Sequence, residues 1–100
     1  VVKHIILWRL NKALSVEEKA AVKAGIKEGL EGLKGRIPGL VDIVVRTEQL
    51  PSSNVDVMLD STFTDEAALR GYSTHPEHVA VADAKVRPYT ALRACMDFEI

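Results

Sequence analysis

The first ten residues, VVKHIILWRL, alternate with period two and carry bulky apolar groups on both sides of the alternation. That is the pattern of a strand. His4, Ile6, Trp8 and Leu10 share one face; Lys3, Ile5, Leu7 and Arg9 share the other. Large apolar side chains on both faces predict cover on both sides, because a strand wetted on one side alternates more cleanly. From Ser15 to Gly39 the period changes. Val22, Ile26, Leu30, Leu33 and Ile37 fall at intervals of four, four, three and four, one apolar stripe along a helix. Ser15 with Glu18 three residues on is a capping-box pair, and Gly35, Pro38 and Gly39 predict the end. The interior glycines Gly25, Gly29 and Gly32 weaken such a helix by about 1 kcal/mol each relative to alanine. They predict close packing against a sheet.

Period two returns in LVDIVVRTEQL (40–50) and VDVMLDSTF (55–63), joined by the turn-forming PSSN, and the pair reads as a β-hairpin. TDEAALRGY (64–72) opens with a Thr-Asp start signal and continues as a short helix. PEHVAVADAKVRPY (76–89) begins with proline, favoured at the first helical position; Val79, Ala82 and Val86 mark its inward face. TALRACMDFEI (90–100) alternates Leu92, Ala94, Met96, Phe98 and Ile100 against Arg93, Cys95, Asp97 and Glu99, a last strand. The order is β-α-β-β-α-β, with the second helical segment broken around Thr74-His75-Pro76. It predicts one α+β domain over residues 1–100, a ferredoxin-like four-stranded antiparallel sheet with helices on one face.

The opposite sheet face would then be bare. Ile5 and Leu7 lie on it, and Val44, Met58 and Cys95 are expected there among Asp42, Arg46, Asp60 and Arg93. An apolar centre with a charged surround has the character of an interface, so a homodimer packed through the helix-free face is expected.

Charge narrows the partners. The formal net charge is −1 with both signs interspersed, which argues against nucleic acid. No apolar run approaches the roughly 20 residues of a membrane span, and no secretory leader pattern opens the chain. Cys95 is the single cysteine, expected as a small buried hydrophobe. The lack of cysteine pairs agrees with a reducing, cytoplasmic setting. Three histidines and scattered carboxylates lack the spacing of a zinc site, so neither metal nor cofactor is expected.

Candidate chemistry gathers in GYSTHPEHVAVAD (71–83), which holds one of the two tyrosines and two of the three histidines. Histidine titrates near neutrality, so His78 is a candidate general base. The Tyr72 hydroxyl is a candidate hydrogen-bond donor. His4, on the strand face toward the helices, would close the site from below. His75 and Trp8 are the candidate ligand contacts. The bland alternatives are structural: His75 beside Pro76 caps a helix, His78 and Tyr72 bond each other and the backbone, His4 is a satisfied buried histidine, and Trp8 fills the space. Tyr89, after Pro88, is expected to pack at the start of the last strand.

VKHIILW at the start, KGRIPGL in the middle, YSTHPEHVAVAD and the closing MDFEI together resemble the stress-responsive α/β-barrel (Dabb) domain along essentially the whole chain. The resemblance implies a ferredoxin-like fold and a homodimer whose sheets form an intermolecular α/β barrel. The family includes olivetolic acid cyclase, a polyketide cyclase performing an intramolecular aldol condensation. There a tyrosine and a histidine of the Y-x-x-H-P-x-H segment are catalytic, with the strand-1 histidine of VKH nearby; the matching positions are Tyr72, His78 and His4. The function expected is a dimeric small-molecule-binding or stress-response protein with a Tyr/His pocket for a small hydrophobic or polyketide-like ligand. A cyclase- or lyase-like enzyme and a purely structural dimer module are the alternatives.

Overall fold

The computed structural model describes residues 1–100. β1 (Val2–Leu10) buries Val2, His4, Ile6, Trp8 and Leu10 and leaves the residues between them half-buried. Its double-sided apolar character gives it an inner place in the sheet. β1 pairs antiparallel with both β3 (Val57–Phe63) and β4 (Thr90–Glu99), and β2 (Leu40–Arg46) lies outside β3, giving the order β2-β3-β1-β4. Three α-helices cover one face, α1 (Val16–Glu31), α2 (Glu66–Thr74) and α3 (Pro76–Val81). Their buried residues join Ile6, Leu10, Val45, Leu59 and Phe63 in one core. This is the ferredoxin-like fold that the alternation of periods predicts.

Local chemistry starts α1 where the sequence places it. Ser15 Oγ accepts the Glu18 N–H at 3.1 Å, and the Glu18 carboxylate accepts the Ser15 N–H at 2.8 Å. The helix stops at Glu31, well short of Gly39. The Glu31 carboxylate is bonded to the Val45 N–H and the Lys27 ammonium, each at 2.9 Å, which ties the last turn to the edge strand β2. Leu33 and Ile37 stay buried through irregular turns rather than helix. The close approach at Gly29 is also not to the sheet: a Cβ there would stand 2.8 Å from Val81 Cγ1 of α3. Gly39 has φ +80°, and a Cβ on it would meet the Ala68 Cβ of α2 at 2.4 Å. The mid-chain IPG is thus the seat on which α2 rests.

Two connections depart from the sequence reading. The hairpin loop runs from residue 47 to 56, longer than PSSN, because Asp56 is anchored on β1. Its N–H donates to Trp8 O at 2.9 Å, and its carboxylate accepts the Leu10 N–H at 2.8 Å. The segment after His75 is not one helix to Tyr89. α3 gives way to a π-helical turn, Ala82–Val86, and a 3₁₀ turn, Arg87–Tyr89. Pro88 has no N–H with which to continue an α-helix.

The faces of β4 are the main correction. The register sets Arg93 beside Trp8, Cys95 beside Ile6 and Asp97 beside His4. Arg93 and Cys95 therefore lie on the helix side, not on the helix-free face, and Cys95 is exposed rather than a buried hydrophobe. The helix-free face takes Leu92, Ala94, Met96 and Phe98 instead, opposite Arg9, Leu7, Ile5 and Lys3. No β4 residue belongs to the core. As an edge strand it is largely exposed, so its polar set can face the helix side.

Candidate functional site

A cavity of about 180 Å³ opens between β1, α2, the α3 segment and β4. Its floor is the helix side of the sheet, with His4, Ile6, Trp8 and Leu59; Tyr72 and His78 form one wall. The π-helical turn supplies Ala82 and Val86, and Arg87 and Arg93 stand among the lining residues. The space is a little larger than an apolar protein cavity known to admit benzene. A single ring fits it.

Tyr72 is carried by α2, which starts because the Asp65 carboxylate accepts the Ala68 N–H at 2.8 Å. Helical spacing from Leu69 turns Tyr72 inward, and its ring packs edge-on against Phe63 (5.0 Å between centroids) and His4 (6.0 Å). The residue is 1% exposed, and its hydroxyl has no hydrogen-bond partner within the protein. Burial raises its pKa, and Arg93 opposes that only in part. Tyr72 is therefore a neutral O–H donor with nothing in the fold to receive its proton. An unmet buried polar group costs about 1–3 kcal/mol.

His78 lies against that ring, with centroids 4.1 Å apart and planes tilted 32°. Its Nδ1 donates to the Ser73 carbonyl at 3.3 Å. That bond sets the tautomer and leaves Nε2 with a free lone pair. Burial lowers the His78 pKa most; the Ser73 bond opposes this, while the charges of Arg87, His4 and Arg93 add to it. The ring is neutral at physiological pH. It is a base in form, its ring packed on that of the tyrosine.

His4 lies below, 7% exposed. Its Nδ1 donates to the Asp97 carboxylate in a short contact, and Cys95 Sγ stands 3.6 Å from the same oxygen. Desolvation and the neighbouring Asp97 charge hold the Cys95 thiol protonated. The His4 nitrogen, the Cys95 sulfur and the Asp97 oxygen all lie within 4.8 Å of one another. Three side chains of metal-ligand type are therefore gathered across strands where sequence spacing brought none together. As found, Asp97 is engaged by His4, and the trio orients the imidazole with a carboxylate.

The structure thus brings Tyr72, His78, His4 and Trp8 around one space and leaves His75 out of it. His75 caps α3, its Nδ1 accepting the Glu77 N–H at 3.1 Å, because Pro76 begins a helix whose first donors need an acceptor. Asp97, Arg93, Arg87 and Ser73 were missed. Asp97 and Arg93 were legible only through the β1–β4 register, in which each inward β1 residue meets a polar β4 residue.

Residues 2–100 match the Stress responsive A/B Barrel Domain, Dabb. The chain belongs to the Dabb family. In structure it is similar to a dimeric protein of ferredoxin-like fold from Bacteroides fragilis, with 35% sequence identity, a TM-score of 0.92, and coverage of 99% of this chain and 95% of that one. A dimeric ferredoxin-like protein from Thermobifida fusca shares 25% identity, TM-score 0.78, over 99% and 90% of the two chains. The hydroxynitrile lyase of Passiflora edulis shares the fold at 18% identity, TM-score 0.74, over 99% and 92%. No curated protein sequence matches the chain. No helix of this Dabb domain is long and apolar enough to cross a membrane.

Proposed function

We propose that this Dabb protein is a homodimer in which each protomer binds a small, ring-sized molecule in the Tyr72–His78–His4 cavity. The observation that carries the binding reading is the Tyr72 hydroxyl, buried, protonated and without a partner on the wall of an open space. A ligand carbonyl or hydroxyl would satisfy it while the ligand body displaces water from Ile6, Trp8 and Leu59. Saturable binding of acetophenone, followed by chemical-shift changes at the Tyr72 and His78 rings, tests this. Absence of binding by any ring-sized neutral or anionic compound would remove the reading.

The dimer rests on the helix-free face together with the dimeric state of the similar proteins. Met96 is 66% exposed and Phe98 39%, beside Ile5 and Leu7 on the same face. Two such sheets packed together would bury all four on each side. A protomer mass by light scattering at micromolar concentration would dismiss this arrangement.

One observation favours a second reading, that of an enzyme of cyclase or lyase type. His78 combines a lowered pKa, a tautomer fixed by Ser73 and a free Nε2 beside a tyrosine donor. In such a step Nε2 takes the α-proton of a bound ketone, the C–H electron pair becomes the enolate, and Tyr72 O–H donates a hydrogen bond to its oxygen. Deuterium exchange at the methyl group of acetophenone in D₂O reads that step directly. Exchange no faster than in buffer, or unchanged in His78→Ala, would confine the protein to binding.

A further inference from the structure

We infer that the cavity selects an organic acid, a ring-sized carboxylate whose charged group is held by Arg93 at the cavity mouth. The inference rests on the binding reading above and adds the charge of the ligand.

Its first support is the sign of the lining. Two arginines, Arg87 and Arg93, line the cavity and no aspartate or glutamate does, although the chain as a whole carries −1. The two arginines are not equivalent. Arg87 is already matched by Asp83, one turn away on its own segment. Arg93 takes part in no ion pair, and of the cations without one it alone lines the cavity. The acid nearest to it along the same strand face, Asp97, is held by His4. Arg93 is thus without a carboxylate, its side chain reaching only the Cys95 sulfur, at the edge of a half-apolar space where an ion pair gains more than it would in open water.

The second support is position. The β1–β4 register puts Arg93 directly beside Trp8 on the helix side, so its side chain starts over the apolar floor rather than at the outer rim. Its charge bears on both the Tyr72 hydroxyl and the His78 ring. Three donors or acceptors then converge on one space. Arg93 supplies a planar fork suited to a carboxylate, Tyr72 an O–H without an acceptor, and His78 a free Nε2. A compact acid with a ring or short chain satisfies the first, and an oxygen elsewhere on it satisfies the second. A neutral hydrophobic ligand would leave Arg93 unmatched.

Benzoate and benzamide, nearly equal in shape but anionic and neutral respectively, separate the alternatives by isothermal titration at low salt. Wild-type protein is expected to bind benzoate at least tenfold tighter than benzamide, with the preference shrinking in 1 M NaCl. Arg93→Gln should remove the preference and leave benzamide unchanged, Arg93→Lys should restore part of it, and Arg87→Gln should keep it. Arg93 is exposed on an edge strand, so the variants are expected to fold; unaltered circular dichroism checks this. If benzamide binds as well as benzoate, the acid preference is overturned and the cavity reading stands. If the preference survives Arg93→Gln, the assignment to Arg93 is overturned. If neither probe binds, the cavity reading falls and the acid preference with it.

Discussion

The two halves of the helix layer are built to different standards. Under α1, the sheet is closed by Val22 and Ile26 against Ile43 and Val45, all buried. The polar groups there are met: Ser61 Oγ donates to His4 O at 2.8 Å, and Glu31 accepts the Val45 N–H. Under α2 and α3 the layer stays open. A buried hydroxyl lacks a partner, a histidine keeps a free nitrogen, and an arginine has no carboxylate. The first half spends its residues on closing the core. The second leaves unmet donors and acceptors around a space, which is what binding requires and what stability alone would eliminate.

The largest expected effect probes the closed half. Ile26 is fully buried in the core, and Ile26→Ala should destabilise the protein by about 2–5 kcal/mol through lost burial and the cavity left behind. Urea unfolding measures it. Against the 5–15 kcal/mol typical of a domain, that is a large share. A loss under about 1 kcal/mol would mean that the α1 half is also loosely packed, and the contrast between the halves would fail.

How far each half could be read from the sequence follows the same division. Periodicity carried β1, α1 and the βαββαβ order, because burying an apolar stripe is a local rule that repeats along the chain. It placed His4, Trp8, Tyr72 and His78 correctly enough for their meeting to be expected. It failed at β4, where Arg93 and Cys95 were expected on the bare face and the apolar set Leu92, Ala94, Met96 and Phe98 lies there instead. Only pairing with β1 decides that Arg93, Cys95 and Asp97 face the helices. The His4–Asp97 contact joins residues 93 positions apart, and no local spacing reports it. At His75 the local rule decided between the two readings the sequence left open: a helix beginning at Pro76 needs a cap, and His75 is that cap.

Tyr72→Phe sharpens the contrast by giving stability and function opposite signs. In the closed half, removing a polar group breaks a bond that exists. At Tyr72 it removes a buried hydroxyl without a partner in the fold. Stability should rise by about 1 kcal/mol, a gain of roughly 4–8 °C in melting temperature for a domain of this size. Ligand affinity should fall at least tenfold. A melting temperature several degrees lower would show that the hydroxyl is bonded within the protein, and the open half would then be as complete as the other.

The smallest effect is a pH dependence confined to His78. Its folded pKa lies below the unfolded value of about 6.5, chiefly through burial, with Arg87, His4 and Arg93 pressing the same way and the Ser73 carbonyl opposing. Above the unfolded value the ring is neutral in both states and imposes no penalty. As pH falls below about 6.5 the unfolded chain takes up a proton that the folded one resists, so stability declines with acidification. The informative quantity is the difference between wild type and His78→Gln. Unfolding free energies at about pH 7.5 and pH 5.5 should show a steeper acid loss in wild type than in the variant. Equal losses would mean that His78 takes its proton as easily folded as unfolded, and that the ring beside Tyr72 is not held ready as a base.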